Sequence, residues 1–146
     1  MKIKISLIIT VLSLLHLYCS DIQISRNSVL KELNLTADSI KKDKRYIYKL
    51  DNKTVGKNGY FYIIRTDAKI SYHPSKALLN YDFSRDPFVQ RILKERNGCL
   101  SFNANGVHRY IFFTEIDSSE ILCLTIGSLE FTGPVYECNK NVEESE

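Results

Sequence analysis

Apolar residues Val29, Leu30, Leu33, Ala37 and Ile40 recur three and four positions apart over 25–42, and mostly polar or charged residues fill the gaps. This period predicts an amphipathic helix with one docked face, and Leu35 falls off its stripe. The basic run Lys41-Lys42-Asp43-Lys44-Arg45 reads as the solvated end of that helix. The stretch 46–50 commits to neither period, and 51–59, with Asn52, Gly56, Asn58 and Gly59, reads as a loop. The pattern then turns aromatic and β-branched. Tyr60-Phe61-Tyr62-Ile63-Ile64-Arg65 predicts a strand, Thr66-Asp67-Ala68-Lys69 a turn, and Ile70-Ser71-Tyr72-His73 the returning strand. Pro74 ends that strand because it has no N–H for the ladder. A polar-aromatic connector over 75–85 leads to Asp86-Pro87, an N-cap followed by proline at the first helical position. Phe88, Val89, Ile92 and Leu93 form the buried stripe of this short helix, and Gly98 is placed to stop it. Strands over 99–103, 107–116 and 120–127 follow, joined by Asn105-Gly106 and by Asp117-Ser118-Ser119.

That order predicts an α+β fold: a five-stranded antiparallel sheet, an N-terminal helix and a short connector helix, with the helices kept to one side. At 146 residues, 44% of them hydrophobic, the chain suffices for one domain with a real core, and no internal repeat divides it. The start of the chain has a different character. Met1-Lys2-Ile3-Lys4 is a basic n-region, and 5–17 is uncharged and mostly Leu, Ile and Val, which is the pattern of an export signal and too short to span a bilayer. A buried N-terminal helix would explain neither the basic start nor the missing charge. Removing Lys2 and Lys4 leaves 18 basic against 17 acidic residues, and so near-neutral a protein has no electrostatic footprint for nucleic acid. Cys19 stands where a lipoprotein signal carries its acylated cysteine. Tyr18 occupies the place of the usual small residue, so cleavage near Ser20 is the alternative. Firm attachment would take more than one acyl chain. The segments are therefore 1–19 as signal, 20–58 as helix and linker, 59–130 as the main domain, and 131–146 as a polar, fraying tail.

The segment 59–126 resembles a single Cache domain, an extracytoplasmic relative of PAS domains used in bacterial chemoreceptors and sensor kinases. The likeness rests on Gly59-Tyr60 opening a strand, the turn Thr66-Asp67-Ala68-Lys69, then Tyr72-His73-Pro74-Ser75, and the connector Asp82-Phe83-Ser84-Arg85-Asp86-Pro87-Phe88. Asn97-Gly98 before a strand, the turn at Gly106 and the aromatic strand from Arg109 to Phe113 complete it. Ala68 stands where the family usually has Gly, which should merely tighten the turn. Glu120-Ile121-Leu122 stands where the family has a Trp, which removes an aromatic wall and puts the ligand class in doubt. Cache domains normally sit between two membrane spans and feed a cytoplasmic output module. The resemblance here implies a lone sensor domain, soluble outside the membrane or lipid-anchored, that signals through a membrane receptor or delivers to a transporter. In a PAS-like strand order Cys99 and Cys123 lie about 9–10 Å apart, with one strand between them. That is beyond disulfide reach, and both read as buried thiols.

The resemblance also implies a pocket between the sheet and the connector over 74–97, taking a small carboxylate, amino acid or amine. Tyr62, Tyr72, His73, Arg85, Phe88, Arg109, Tyr110 and Phe112 are the candidate lining residues. Arg109 can hold a carboxylate bidentately, or it can simply face solvent. Strand alternation puts it on the face of Ile111 and Phe113, opposite His108, Tyr110 and Phe112, so only one of the two sets can line a pocket. His73 either contacts ligand or caps its strand. With His16 in the signal, two histidines and no clustered carboxylates make zinc improbable, and no cofactor is implied. The chain has no G-x-S-x-G, H-E-x-x-H or Gly-rich phosphate loop, and a Cys99/His108 nucleophile pair is a remote reading, so the chain reads as a binder rather than an enzyme. The alternative is an exported protein–protein interaction module that uses the same fold without a small-molecule pocket.

Overall fold

A computed structural model describes residues 24–104, 106–132 and 138. The signal segment, Cys19, Asn105 and nearly all of the tail lie outside the described residues. The elements are β1 (Ile24–Ser25), α1 (Arg26–Lys42), a 3₁₀ helix (Lys44–Asn52), β2 (Thr54–Val55), β3 (Gly59–Arg65) and β4 (Ile70–Tyr72). They are followed by α2 (Pro87–Glu95), β5 (Gly98–Ala104), β6 (Val107–Asp117), β7 (Glu120–Gly127) and β8 (Phe131–Thr132). The long helix begins where the sequence places it: Ser25 is the N-cap, and its Oγ accepts from the Ser28 N–H at 3.2 Å. Val29, Leu33, Ala37 and Ile40 are buried along its inner face, and Leu35 is exposed.

The main sheet runs β2-β3-β7-β6-β5 in antiparallel pairs, with β4 also paired to β3. It has a sixth strand beyond the expected five because residues 51–59 are not wholly loop: Thr54 and Val55 pair with Tyr60 and Gly59. The helices do not share one side. Phe61, Ile63, Phe112, Leu122, Leu124 and Ile126 pack with α1, while Tyr62, Ile64, Leu100, Ile111, Phe113, Ile121 and Cys123 pack with Val89 and Ile92 of α2 on the opposite face. The reason is in the strands. β3 and β7 are apolar at nearly every position, so both faces of the sheet must be covered.

Three local details add to or depart from the sequence reading. Ala68 adopts a left-handed conformation, φ 62°, with its N–H donating to the Arg65 carbonyl at 3.0 Å. The short helix is stopped by Arg96 in the left-handed region, φ 60°, rather than by Gly98, which opens β5. Arg96 is held there by its own side chain, which donates to Glu115 at 3.0 Å and to the Asp117 carbonyl at 2.9 Å. Finally, Cys99 is not a free thiol. It is disulfide-bonded to Cys138, with 5.1 Å between the Cα atoms, so the tail is anchored at that point. Cys123 is free and buried, and β6 separates it from Cys99.

Candidate ligand-binding site

The connector and α2 roof one face of the sheet and leave a partly open cavity of about 130 Å³. Its floor is Tyr60, Tyr62 and Ile64 of β3 with Thr125 of β7 and Phe102 of β5. Leu78, Phe83, Phe88 and Val89 form the roof, and Ile70 and His73 close one side. α2 is positioned by its start: the Asp86 carboxylate accepts the Phe88 N–H at 3.2 Å, with Pro87 in the first turn. This presents Phe88 to Phe102, ring centroids 5.2 Å apart and nearly parallel, while Val89 and Ile92 anchor the helix to the sheet.

His73 is fixed from two directions. Its ring lies edge-on to Tyr60 at 5.3 Å and tilted against Tyr62 at 5.7 Å. Its Nδ1 accepts the Ser75 N–H at 2.9 Å. A ring whose Nδ1 accepts carries its proton on Nε2, so His73 offers a donor. Burial holds the imidazole below its ordinary pKa and keeps it neutral. Burial likewise pushes the Tyr62 hydroxyl well up, with the Cys123 thiol adding to it. The Cys123 thiol is raised by its own burial.

The candidate residues are divided by the sheet. Tyr62, His73 and Phe88 meet in the cavity. Tyr72, Tyr110 and Phe112 are on the α1 face, so they cannot share it. The Tyr72 hydroxyl donates instead to Asp51 at 2.9 Å, and Tyr110 and Phe112 pack on Phe131. Arg85 is exposed on the connector. Arg109 is on the cavity face, half-buried and directly across from Phe102, but outside the lining. Tyr60, Ile64 and Phe102 were within reach of sequence reasoning: Tyr60 and Ile64 are two residues either side of Tyr62, and Phe102 is two from Leu100. Thr125 needed the β3–β7 register, which pairs it with Tyr60.

A larger groove, about 440 Å³, lies on the other face beside Lys44, Arg45, Tyr72 and Lys76. Its charges are already matched. Lys44 bridges Asp117 and Glu120, Arg45 pairs with Asp43, and Lys76 is 3.7 Å from Asp51. The apolar cavity with a few polar groups in its wall is the better ligand site.

No family model matches the sequence, and no curated protein matches it. Solved structures do match. A methyl-accepting chemotaxis protein from Vibrio parahaemolyticus superposes at a TM-score of 0.56 with 13% identity, over 69% of this chain and 89% of its own. A periplasmic sensor domain of a chemotaxis protein gives 0.54 and 11%, over 70% and 92%. A Cache chemosensory domain described as recognising carboxylic acids gives 0.51 and 12%, over 66% and 84%. The fold is that of a single Cache domain. Its neighbours are sensor and chemoreceptor domains rather than enzymes. Some are longer: the extracellular domain of mmHK1S-Z3, at 0.51 and 14%, is covered over 36% of its length, about a third. Among the described residues no helix of this Cache fold is long and apolar enough to cross a membrane.

Proposed function

We propose that the protein is an exported, non-enzymatic small-molecule-binding domain whose ligand enters the cavity under the connector. It would signal through, or deliver to, a separate membrane receptor or transporter. The observation that carries this reading is the cavity itself: an aromatic and aliphatic chamber, capped by a short helix, with His73 as its fixed polar group. Carboxylates, amino acids and amines are the ligand classes that the Cache resemblance brings. Export is supported by the basic and apolar start of the chain and by the Cys99–Cys138 disulfide, since such bonds persist in oxidising compartments. With two cysteines bonded and Cys123 buried, Cys19 is the one left for an acyl chain. The interaction-module alternative is less well supported. Among the described residues the large exposed hydrophobics Leu35, Tyr48, Tyr81, Val107 and Leu129 each lie on a different element or connection.

The test is a thermal-shift screen of the chain from Ser20 onward against carboxylates, amino acids, amines and uncharged compounds. A ligand at about 100 times its Kd should stabilise the fold by roughly 2.7 kcal/mol, or several degrees. Leu78→Trp, which fills the cavity from the connector, should abolish the shift. No shift with any compound, from a protein that melts cooperatively, would turn the reading to the protein-interaction alternative.

A further inference from the structure

The chemistry of the lining points to a ligand outside the charged classes that the resemblance brings, and this step rests on the proposed function in taking the cavity as the binding site. Among the described residues no Asp, Glu, Lys or Arg lines the cavity. Most of its wall is aromatic ring and aliphatic chain, the latter from Ile64, Ile70, Leu78 and Val89. His73, whose Nδ1 is occupied by the Ser75 N–H, is placed to offer its Nε2–H, and the hydroxyls of Tyr60, Tyr62 and Thr125 are the other polar groups of the lining. An ion placed here would lose part of its hydration and gain no counter-charge. A zwitterionic amino acid would incur that loss twice. A cage of aromatic faces alone could stabilise an ammonium, but the aliphatic part of this wall offers a cation nothing. Size sets a second limit. A dry apolar cavity of about 150 Å³ is known to hold benzene, and this one measures about 130 Å³.

We infer that the cavity takes an uncharged, compact, largely apolar molecule of about six or seven non-hydrogen atoms, whose single acceptor receives the His73 Nε2–H. Arg109, across from Phe102 but outside the lining, takes no part in holding it.

Three probes of similar size separate the possibilities: cyclohexanone, cyclohexylammonium and cyclopentanecarboxylate. Binding is read by calorimetry and by the methyl NMR signals of Ile64, Leu78 and Val89. Cyclohexanone should bind at least ten times more tightly than either ion. It should shift those methyls, keep its affinity in Arg109→Ala, and lose it in Leu78→Trp. An ion that binds more tightly than the ketone overturns the inference and leaves small-molecule binding standing. A carboxylate preference lost in Arg109→Ala would move the anchor to that residue. If no probe binds, the inference fails. If the broad screen is also empty, the proposed function fails with it.

Discussion

His73 and Tyr72 are adjacent, yet they serve opposite faces of the sheet, and one residue decides this. Pairing of β3 with β4 slips between Ile63 and Ile64, so that Ile64 faces Ile70 but Ile63 faces Tyr72, leaving Ser71 as the extra residue. Without the bulge, alternation would put Tyr72 beside Ile70 in the cavity and turn His73 away. With it, Tyr72 goes to α1 and His73 enters between Tyr60 and Tyr62. The pH dependence of folding should register that position. In the unfolded chain His73 titrates near about 6.5, whereas burial lowers its pKa in the fold. The stability it contributes is therefore complete above that unfolded value and is lost as pH falls through it toward the folded one, because only the unfolded chain takes up the proton. Urea unfolding at about pH 7.5 and at about pH 5.5 should show a larger loss for the native protein than for His73→Phe, which keeps a ring but cannot titrate. Equal losses would mean that His73 is not held neutral.

Among the elements, the second helix shows what a short sequence signal can and cannot specify. Its start was legible because Asp86 and Pro87 act through their own chemistry, a side-chain acceptor and a fixed φ. Its end was not. A glycine two positions on looked like the stop, but Arg96 takes the left-handed turn because Glu115 and Asp117, nearly twenty residues away, hold its guanidinium. The 3₁₀ helix over Lys44–Asn52 and the two-residue β2 were illegible for a related reason: each is short, and partners elsewhere define it. Glu130, for example, closes the β2–β3 turn by accepting the Lys57 N–H at 2.7 Å and the Asn58 N–H at 3.2 Å. In the same turn Gly56 sits at φ +66°, with Ile24 and Glu130 where a Cβ would go. Because Phe88 and Val89 carry the cavity roof, loosening the helix start should be felt as binding. Asp86→Ala should cost about 1 kcal/mol in urea unfolding and weaken ligand binding as well. Asp86→Asn, which can still cap, should restore both. A stability loss with unchanged affinity would argue that the roof does not depend on the helix start.

At the scale of the molecule, the unexpected feature is how the tail is secured. The strands and the long docking helix could be inferred from periodicity, whereas the separation of Cys99 from Cys123 by one strand followed from the PAS-like strand order that the resemblance implies. The covering of both sheet faces was present in the unbroken apolar runs of β3 and β7 but was outweighed by the expectation of a one-sided layout. The pairing of Cys99 with Cys138 could not be deduced, because spacing alone does not choose among partners. It closes a loop of 39 residues that spans β5, β6, β7 and β8, so it ties the edge of the sheet to the chain beyond it. Loop-closure arguments give such a crosslink roughly 3–4 kcal/mol. Replacing both cysteines with alanine should remove about that much from urea unfolding. It should also abolish the sensitivity of the melting temperature to dithiothreitol. Cys99 faces α1 and the cavity faces α2, so ligand affinity should be preserved in the double variant once it is folded. In the native protein Cys123 should resist thiol reagents until the chain unfolds, because it is fully buried between the sheet and α2. Labelling of two thiols in the untreated folded protein would mean that the bond is absent. Loss of binding in a stably folded double variant would mean that the two faces of the sheet are coupled.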